Sequence, residues 1–427
     1  MTLFRLWLLL AALPAPILAQ TAFDPVVESR RHYRVAVEAY EAGDRSAYLE
    51  HAREAQALRP DHGGVTWALA SAQALTGDTA SAFRTLRHFA SLGYSGDLAA
   101  DSDFAGLRGG EAYTELTRRL ERNRAPLVAS RVAFELPVAG PLPEGIAYVG
   151  KPAGFLVGSV RSGQILRVTA DGRTAEFAAV EGGRWAPLGL RVDERRGALW
   201  VAAAALPQTA AYQPADSGRS AVLRYDLRSG RLTHRYEPRD ADAHTIGDLI
   251  VTRAGDVFAT DSRAPVVYRI GAGTDSLERF VQSPLLLSAQ GLALTDDERT
   301  LYVADYARGI LRVNLADRGV TLVRTADSVL ALGIDGLYYR AGRLIGIQNG
   351  VTPHRVVRLD LTPAGDRILE ARVLERAHPR YDEPTLGVVV AGELYYIANS
   401  QWERFGQDGT VADSTALQRP VVLRLPL

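Results

Sequence analysis

Oxygen-bearing side chains recur at one phase of a repeat in the second part of the chain. Glu144, Gln290 and Asp335 each stand directly before a glycine that opens a short β-branched or aromatic run, and Leu188, Gly247 and Thr385 hold the corresponding place in three further runs. A second series, Ser159, Ala203, Asp261, Asp305, Asn349 and Asn399, falls at the ends of the runs that follow. Carboxylates and amides brought to one place are hard donors suited to a divalent cation such as calcium, with zinc or magnesium as alternatives. Carboxylates packed together also repel one another unless a cation or a shifted pKa relieves them. Singly, Asp and Asn end strands because they favour turns. A ring of them at matching phase is what calls for chemistry.

The elements that would gather these residues are short strands. From about residue 131 onward, β-branched and aromatic runs alternate with Gly, Asp and Pro, the signature of an all-β repeat. Run starts align at Gly145, Gly189, Asp248, Gly291, Gly336 and Gly387, with intervals of 44, 59, 43, 45 and 51 residues. Six such units, each with four strands (GLALT, TLYVAD, ILRVNL and VTLVRT in the fourth), predict a six-bladed propeller. Adjacent strands of a blade run antiparallel. The start of each innermost strand therefore lies beside the end of the second, and both series above face one rim of the central channel. The last run, PVVLRL at 420–425, is only a third strand, so RVAFEL at 131–136 is expected to close the sixth blade from outside. Longer connections at 204–220, 237–247 and 400–419 open on the same rim. Trp185, His244, His354 and Trp402 lie in connections on that side and could line a pocket for a small organic ligand, with histidine as a general base.

Residues 20–124 read instead as helices, with apolar and Ala positions at i, i+3 and i+4. Gly43-Asp44 recurs as Gly77-Asp78, an offset of 34 residues at which Tyr33 meets Trp67, Ala36 meets Ala70 and Leu58 meets Leu92. That is the tetratricopeptide period. Residues 125–130 form a linker, and the whole is an α+β multidomain chain of tetratricopeptide-like hairpins followed by the propeller. Ahead of both, Arg5, the apolar run 6–13, Pro14, Pro16 and the small Ala19 read as a secretory signal peptide over residues 1–19. Its apolar run is far short of the about 20 residues that a membrane span needs. The expected mature protein is periplasmic or extracellular, with no membrane span. Lys plus Arg and Asp plus Glu balance at 49 each, so nucleic acid is not an expected partner. There is no cysteine, which excludes thiolate metal ligands and a catalytic thiol. The expected partners are a small molecule at the channel and a peptide or protein at the helical repeats.

The stretches PEGIAY (143–148), AQGLALTDDERTLYVAD (289–305) and IDGLYY (334–339) resemble the regucalcin and gluconolactonase family of six-bladed propellers over about residues 130–427. The resemblance implies a divalent cation on the channel axis and hydrolysis of sugar lactones. It implies metal ligands at Glu144, at Gln290 where the family has Asn, and at Asp335, which takes the place of the catalytic Asp. Of the family's substrate segment only Asp248 is kept, since Thr245 and Gly247 replace its Arg and Asn. The substrate-binding set expected here is Asp248, Asp305, Asn349, Asn399 and His244. Two functions compete: a metal-dependent hydrolase of lactones or related esters, favoured by Glu144, Asp248 and Asp335, and a non-catalytic ligand-binding and interaction scaffold, favoured by Gln290 and the lost Arg.

Overall fold

The computed structural model describes residues 23–138, 140–150, 154–169 and 172–427. The expected signal peptide lies outside them. Among the described residues no helix is long and apolar enough to cross a membrane. The chain divides into two compact units, one running to Ala125 and including Val351–Pro353, the other taking Pro126–Gly350 and His354–Leu427.

The first unit is helical. Helices α1 (Pro25–Glu41) and α2 (Arg45–Leu58) form one pair and α3 (Gly63–Leu75) and α4 (Thr79–Ser91) a second, followed by a 3-10 turn (Ser102–Leu107) and α5 (Gly110–Arg124). The 34-residue offset has a physical basis in the caps. Asp44 accepts from the Ser46 and Ala47 amides to start α2, and Asp78 accepts from Ser81 to start α4. Ala36 and Ala70, the small pair at that offset, are both fully buried.

The second unit is the six-bladed propeller. Its innermost strands are Pro143–Gly150, Ala186–Asp193, Ile246–Val251, Ala289–Leu294, Ile334–Arg340 and Gly387–Val390. Five blades have four strands, and the fifth blade gains a short parallel strand, Arg324–Thr325, on its outer edge. The sixth blade closes as the sequence predicts: Arg131–Glu135 pairs antiparallel with Val421–Pro426. This ties the two ends of the propeller together and removes two open sheet edges. The entry to that strand is fastened by buried Glu375, which accepts from the Ala129 and Ser130 amides, the Ser130 hydroxyl and the Tyr381 and Tyr396 hydroxyls.

One irregularity recurs in the first five innermost strands. After the first pair of each ladder, or the second in blade 2, the register slips, between Pro143 and Ile146, Pro187 and Leu190, Ile246 and Asp248, Ala289 and Leu292, and Ile334 and Leu337. These are β-bulges, which re-aim side chains. The residues in them are Glu144, Leu188, Gly247, Gln290 and Asp335, the same positions that the phase of the repeat picks out. The following glycine is required by close approach. A Cβ at Gly145 would stand 1.9 Å from the Leu188 carbonyl oxygen, and one at Gly291 would stand 2.3 Å from that of Asp335. Gly291→Ala should therefore lower stability by about 1–3 kcal/mol or more. Gly247→Ala, whose Cβ would meet nothing nearer than Gln290 Oε1 at 3.9 Å, should be nearly neutral. Urea unfolding of the two variants beside the wild type checks this.

Candidate functional site

Glu144 and Asp335, on the bulges of blades 1 and 5, are part-exposed at the narrow mouth of the channel. Trp402 Nε1 donates to Glu144 Oε2 at 2.6 Å, and the Ser400 hydroxyl lies 3.3 Å from the same oxygen. Asn349 Nδ2 donates to Asp335 Oδ2 at 3.0 Å, and the Asn349 amide is itself oriented by the Tyr306 hydroxyl, which donates to its Oδ1 at 3.0 Å. Gln290 holds the same bulge position on blade 4. Its Nε2 donates to the Ser288 hydroxyl at 3.3 Å, and its Oε1 sits beside Gly247, where blade 3 brings no side chain.

The electrostatics of the mouth follow from burial and like charge. Burial, followed by the charge of Asp335, raises Glu144 well above the usual carboxylate range, against the lowering effect of the Trp402 hydrogen bond. Burial pushes Asp335 up to about 7, with Asn349 opposing and the charge of Asp248 adding. A third acid joins them. Glu383, in the connection ahead of the sixth innermost strand, is pushed up to about 8 by burial, then by the charges of Glu403 and Asp335. The Tyr306 hydroxyl is raised for the same reasons.

Other acids near the channel are compensated. Asp248 is buried one residue beyond the blade 3 bulge and pairs with Arg191 at 3.2 Å. Its charge acts on Asp335, but its carboxylate is held inside the ring. Asp305 spends both oxygens on backbone amides: Oδ2 accepts from Leu287 and Ser288, and Oδ1 from Ala307 and Arg308. It straps the connection between blades 3 and 4. Asn399 bonds to the Arg419 carbonyl and the Val421 amide. His244 is 4% exposed and lies between two carboxylates, with Nδ1 2.6 Å from Asp261 and Nε2 2.7 Å from Asp240. Both ring nitrogens are thereby engaged. Burial opposes the charge, but the bonds to Asp261 and Asp240 prevail and raise its pKa, so neither nitrogen is open to act as a general base.

Of the expected substrate-binding set the structure thus brings Asn349 to the mouth and gives Asp305, Asn399 and His244 loop-fastening bonds instead. The phase of the fifth blade also differs from expectation by one residue. Gln348, not Asn349, pairs with Ile334 at the strand end, its amide donating to the Leu330 and Leu332 carbonyls, which frees Asn349 for Asp335. Trp402 faces the site as expected. Trp185 does not: it is buried, bonds to Asp216 and is flanked by Arg219 and Arg235. His354 lies by Asp382, and burial holds its pKa below the ordinary value. Glu383 and Tyr306 escape a reading by strand phase, Glu383 because it sits two residues before the ring position of blade 6. Its one signal is a Glu-Pro just before an innermost strand, as in a turn that must be pinned.

The donor set fits a hard cation through two carboxylates and one amide, Glu144, Asp335 and Gln290. The bonds given to the carboxylates fall on Glu144 Oε2 and Asp335 Oδ2, leaving Oε1 and Oδ1 for a ligand. Among the described residues no three His, Cys, Asp or Glu side chains group around one point, so the amide and solvent would have to complete such a site. A concavity of about 620 Å³ opens elsewhere, on the opposite rim between blades 4 and 5, lined by Asp297, Arg312, Tyr339 and Pro363 among others. It contains no such donor set.

No protein-family model matches the chain, and no curated protein sequence matches it. Among solved structures it is similar to a calcium-binding regucalcin from Agrobacterium tumefaciens, at 16% identity and a TM-score of 0.49, covering 70% of this chain and 93% of that one. It is similar to a gluconolactonase from Xanthomonas campestris at 17% identity and a TM-score of 0.45, covering 70% and 96%. A virginiamycin B lyase from Staphylococcus aureus, at 13% identity and a TM-score of 0.45, covers 68% of this chain and 83% of its own.

Proposed function

We propose that this protein is an exported hydrolase of lactones or related esters, acting at the acidic mouth of the propeller channel with a divalent cation held by Glu144, Asp335 and Gln290. The observation that carries the reading is the pair of bulge carboxylates, one of them, Asp335, pushed up to about 7. An acid titrating near the working pH can take a proton from an attacking water and return it to the leaving alcohol. Asn349 fixes the Asp335 carboxylate by one oxygen, so the other would have to serve both the cation and a water beside it. When bound, the cation, calcium by the hardness of its donors, supplies Lewis-acid polarisation of the ester carbonyl. Trp402 and Tyr306 give the mouth apolar surface, as small-molecule sites require. Export to the periplasm or beyond rests on residues 1–19. The helical pairs are read as tetratricopeptide-like units for a peptide or protein partner, supported by the repeated Asp44 and Asp78 caps.

Calorimetry with calcium, followed by a panel of lactones and esters, tests the reading. Glu144→Gln and Asp335→Asn should each lower calcium affinity at least about tenfold, and Asp335→Asn should cost about 10²–10⁴-fold in hydrolysis. Gln290→Asn, which shortens the amide by one methylene, should tighten binding. If neither the wild type nor Gln290→Asn takes up a divalent cation, the hydrolase reading falls and a non-catalytic ligand-binding scaffold replaces it.

The raised pKa of Asp335 has a second consequence, with a definite sign. An acid whose folded pKa exceeds its unfolded value keeps a proton in the native state that the unfolded chain has lost, so stability falls as pH rises between the two values. For Asp335 that window runs from the ordinary 3.8 to about 7. The melting temperature of the metal-free protein should fall across this window, with Asp335→Asn showing a shallower fall.

A further inference from the structure

The connection that leaves blade 6 after Asn399 crosses the mouth and reaches blade 1, and its geometry is concentrated on one carboxylate. Trp402 Nε1 donates to Glu144 Oε2 at 2.6 Å, and the Ser400 hydroxyl bonds to the Pro143 carbonyl with the same Glu144 oxygen 3.3 Å away. Among the described residues no hydrogen bond falls on Glu144 Oε1.

The strap that carries Trp402 is fastened along its length. Gln401 adopts a left-handed φ of 70°, unusual for a residue with a side chain. Its backbone amide donates to the Asp382 carbonyl at 3.0 Å, and its side chain exchanges two bonds with the backbone of Gln418, at 2.8 and 3.1 Å. Arg404 Nε holds Asp382 at 2.8 Å. Beyond it, Phe405 is buried against Leu142 and Leu188. The outer part of the connection is locked to the long connection of blade 2: Gln208 Nε2 donates to the Gly406 carbonyl at 3.0 Å, and Arg161 bridges the Gln208 and Gly409 carbonyls at 3.0 and 3.2 Å. This is a fixed roof over one side of the mouth. A half-exposed indole would find water for its N–H without help, so a rigid strap that delivers that N–H to a bulge carboxylate acts on the carboxylate.

We infer that Trp402 is the positioning residue of the cation site: its indole N–H claims one oxygen of Glu144 and presents the other, Oε1, as a single donor toward the channel axis. The inference rests on the cation reading above. The physical reason is general, since a metal-ligating carboxylate that can rotate pays to be ordered, and partners that pre-orient it typically contribute about 10–100-fold to affinity.

The test is titration of calcium chloride into the full chain by calorimetry, with tryptophan emission followed in parallel. Trp402→Phe keeps a ring against the Phe405 cluster and removes the N–H. It should weaken calcium binding by about 10–100-fold while the melting temperature of the metal-free protein stays close to wild type. The wild-type emission should shift on calcium addition, and this shift should vanish in Trp402→Phe. Ser400→Ala, which loosens the strap at the Pro143 carbonyl, should weaken binding several-fold and serves if the first variant does not fold. Wild-type affinity in a folded Trp402→Phe, with calcium heat present in the wild type, overturns this inference and leaves the cation reading standing. Absence of calcium heat in the wild type itself overturns both.

Discussion

Six innermost strands converge on one axis, and at the mouth they come so close that the residue after four of the five bulges is a glycine with no room for a side chain. At Gly145 and Gly291 a single added carbon would lie inside van der Waals contact of the next blade's carbonyl oxygen. Blade packing and site composition are therefore one constraint. The bulge that accommodates the close approach turns the preceding residue toward the mouth, so five backbone irregularities select Glu144, Leu188, Gly247, Gln290 and Asp335 before any chemistry is considered. Blade 3 breaks the pattern by placing Asp248 where its neighbours have glycine, and it does so where Gly189 leaves room and Arg191 supplies the countercharge.

Hydrogen-bond and charge partners separate the acids that fasten the fold from those at the mouth. Asp248 has an arginine, Asp261 has the His244 ring and three backbone amides, and Asp305 has four amides. Burial still raises Asp248 and Asp305 against the lowering effect of these partners, so they differ from the mouth acids in what surrounds them and not in the direction of the shift. Glu144, Asp335 and Glu383 are acted on chiefly by burial and by one another, with only an indole, a hydroxyl and amide donors in opposition. Their raised pKa values are the cost of keeping acids where the fold gives them no cation, and perturbation of that kind clusters at functional sites.

The fold was legible because a propeller writes its geometry into spacing. Strand phase was enough to locate the closing strand from residues 131–136 and the mouth positions of five blades, since both follow from a period of two within strands and a fixed order within blades. Phase could not tell a mouth ligand from a strand-end strap. Asp305 and Asn349 look alike in sequence, yet Asp305 fastens a loop while Asn349 is released by Gln348, which performs the strap's work one residue earlier. His244 illustrates the same limit. Its position in a mouth-side connection is visible, but the pair of carboxylates that occupy both its nitrogens comes from residues 4 and 17 positions away. Glu383 belongs to an irregular connection with a left-handed φ of 68°, where no period applies.

Gln290 and Gly247 are best understood together. On adjacent bulges, one residue has a longer amide than a compact donor set requires and the other has no side chain at all. The amide oxygen occupies the space that a side chain on blade 3 would take, 3.9 Å from where its Cβ would begin, while the amide nitrogen turns back to Ser288 on its own blade. A bulkier residue at 247 would close that gap. The extra methylene is therefore matched to the empty neighbour, so that blade 4 supplies the polar group for two blades. Glu144 is held by Trp402 and Ser400 and Asp335 by Asn349, so the longer Gln290 side chain is the adjustable member beside two fixed carboxylates.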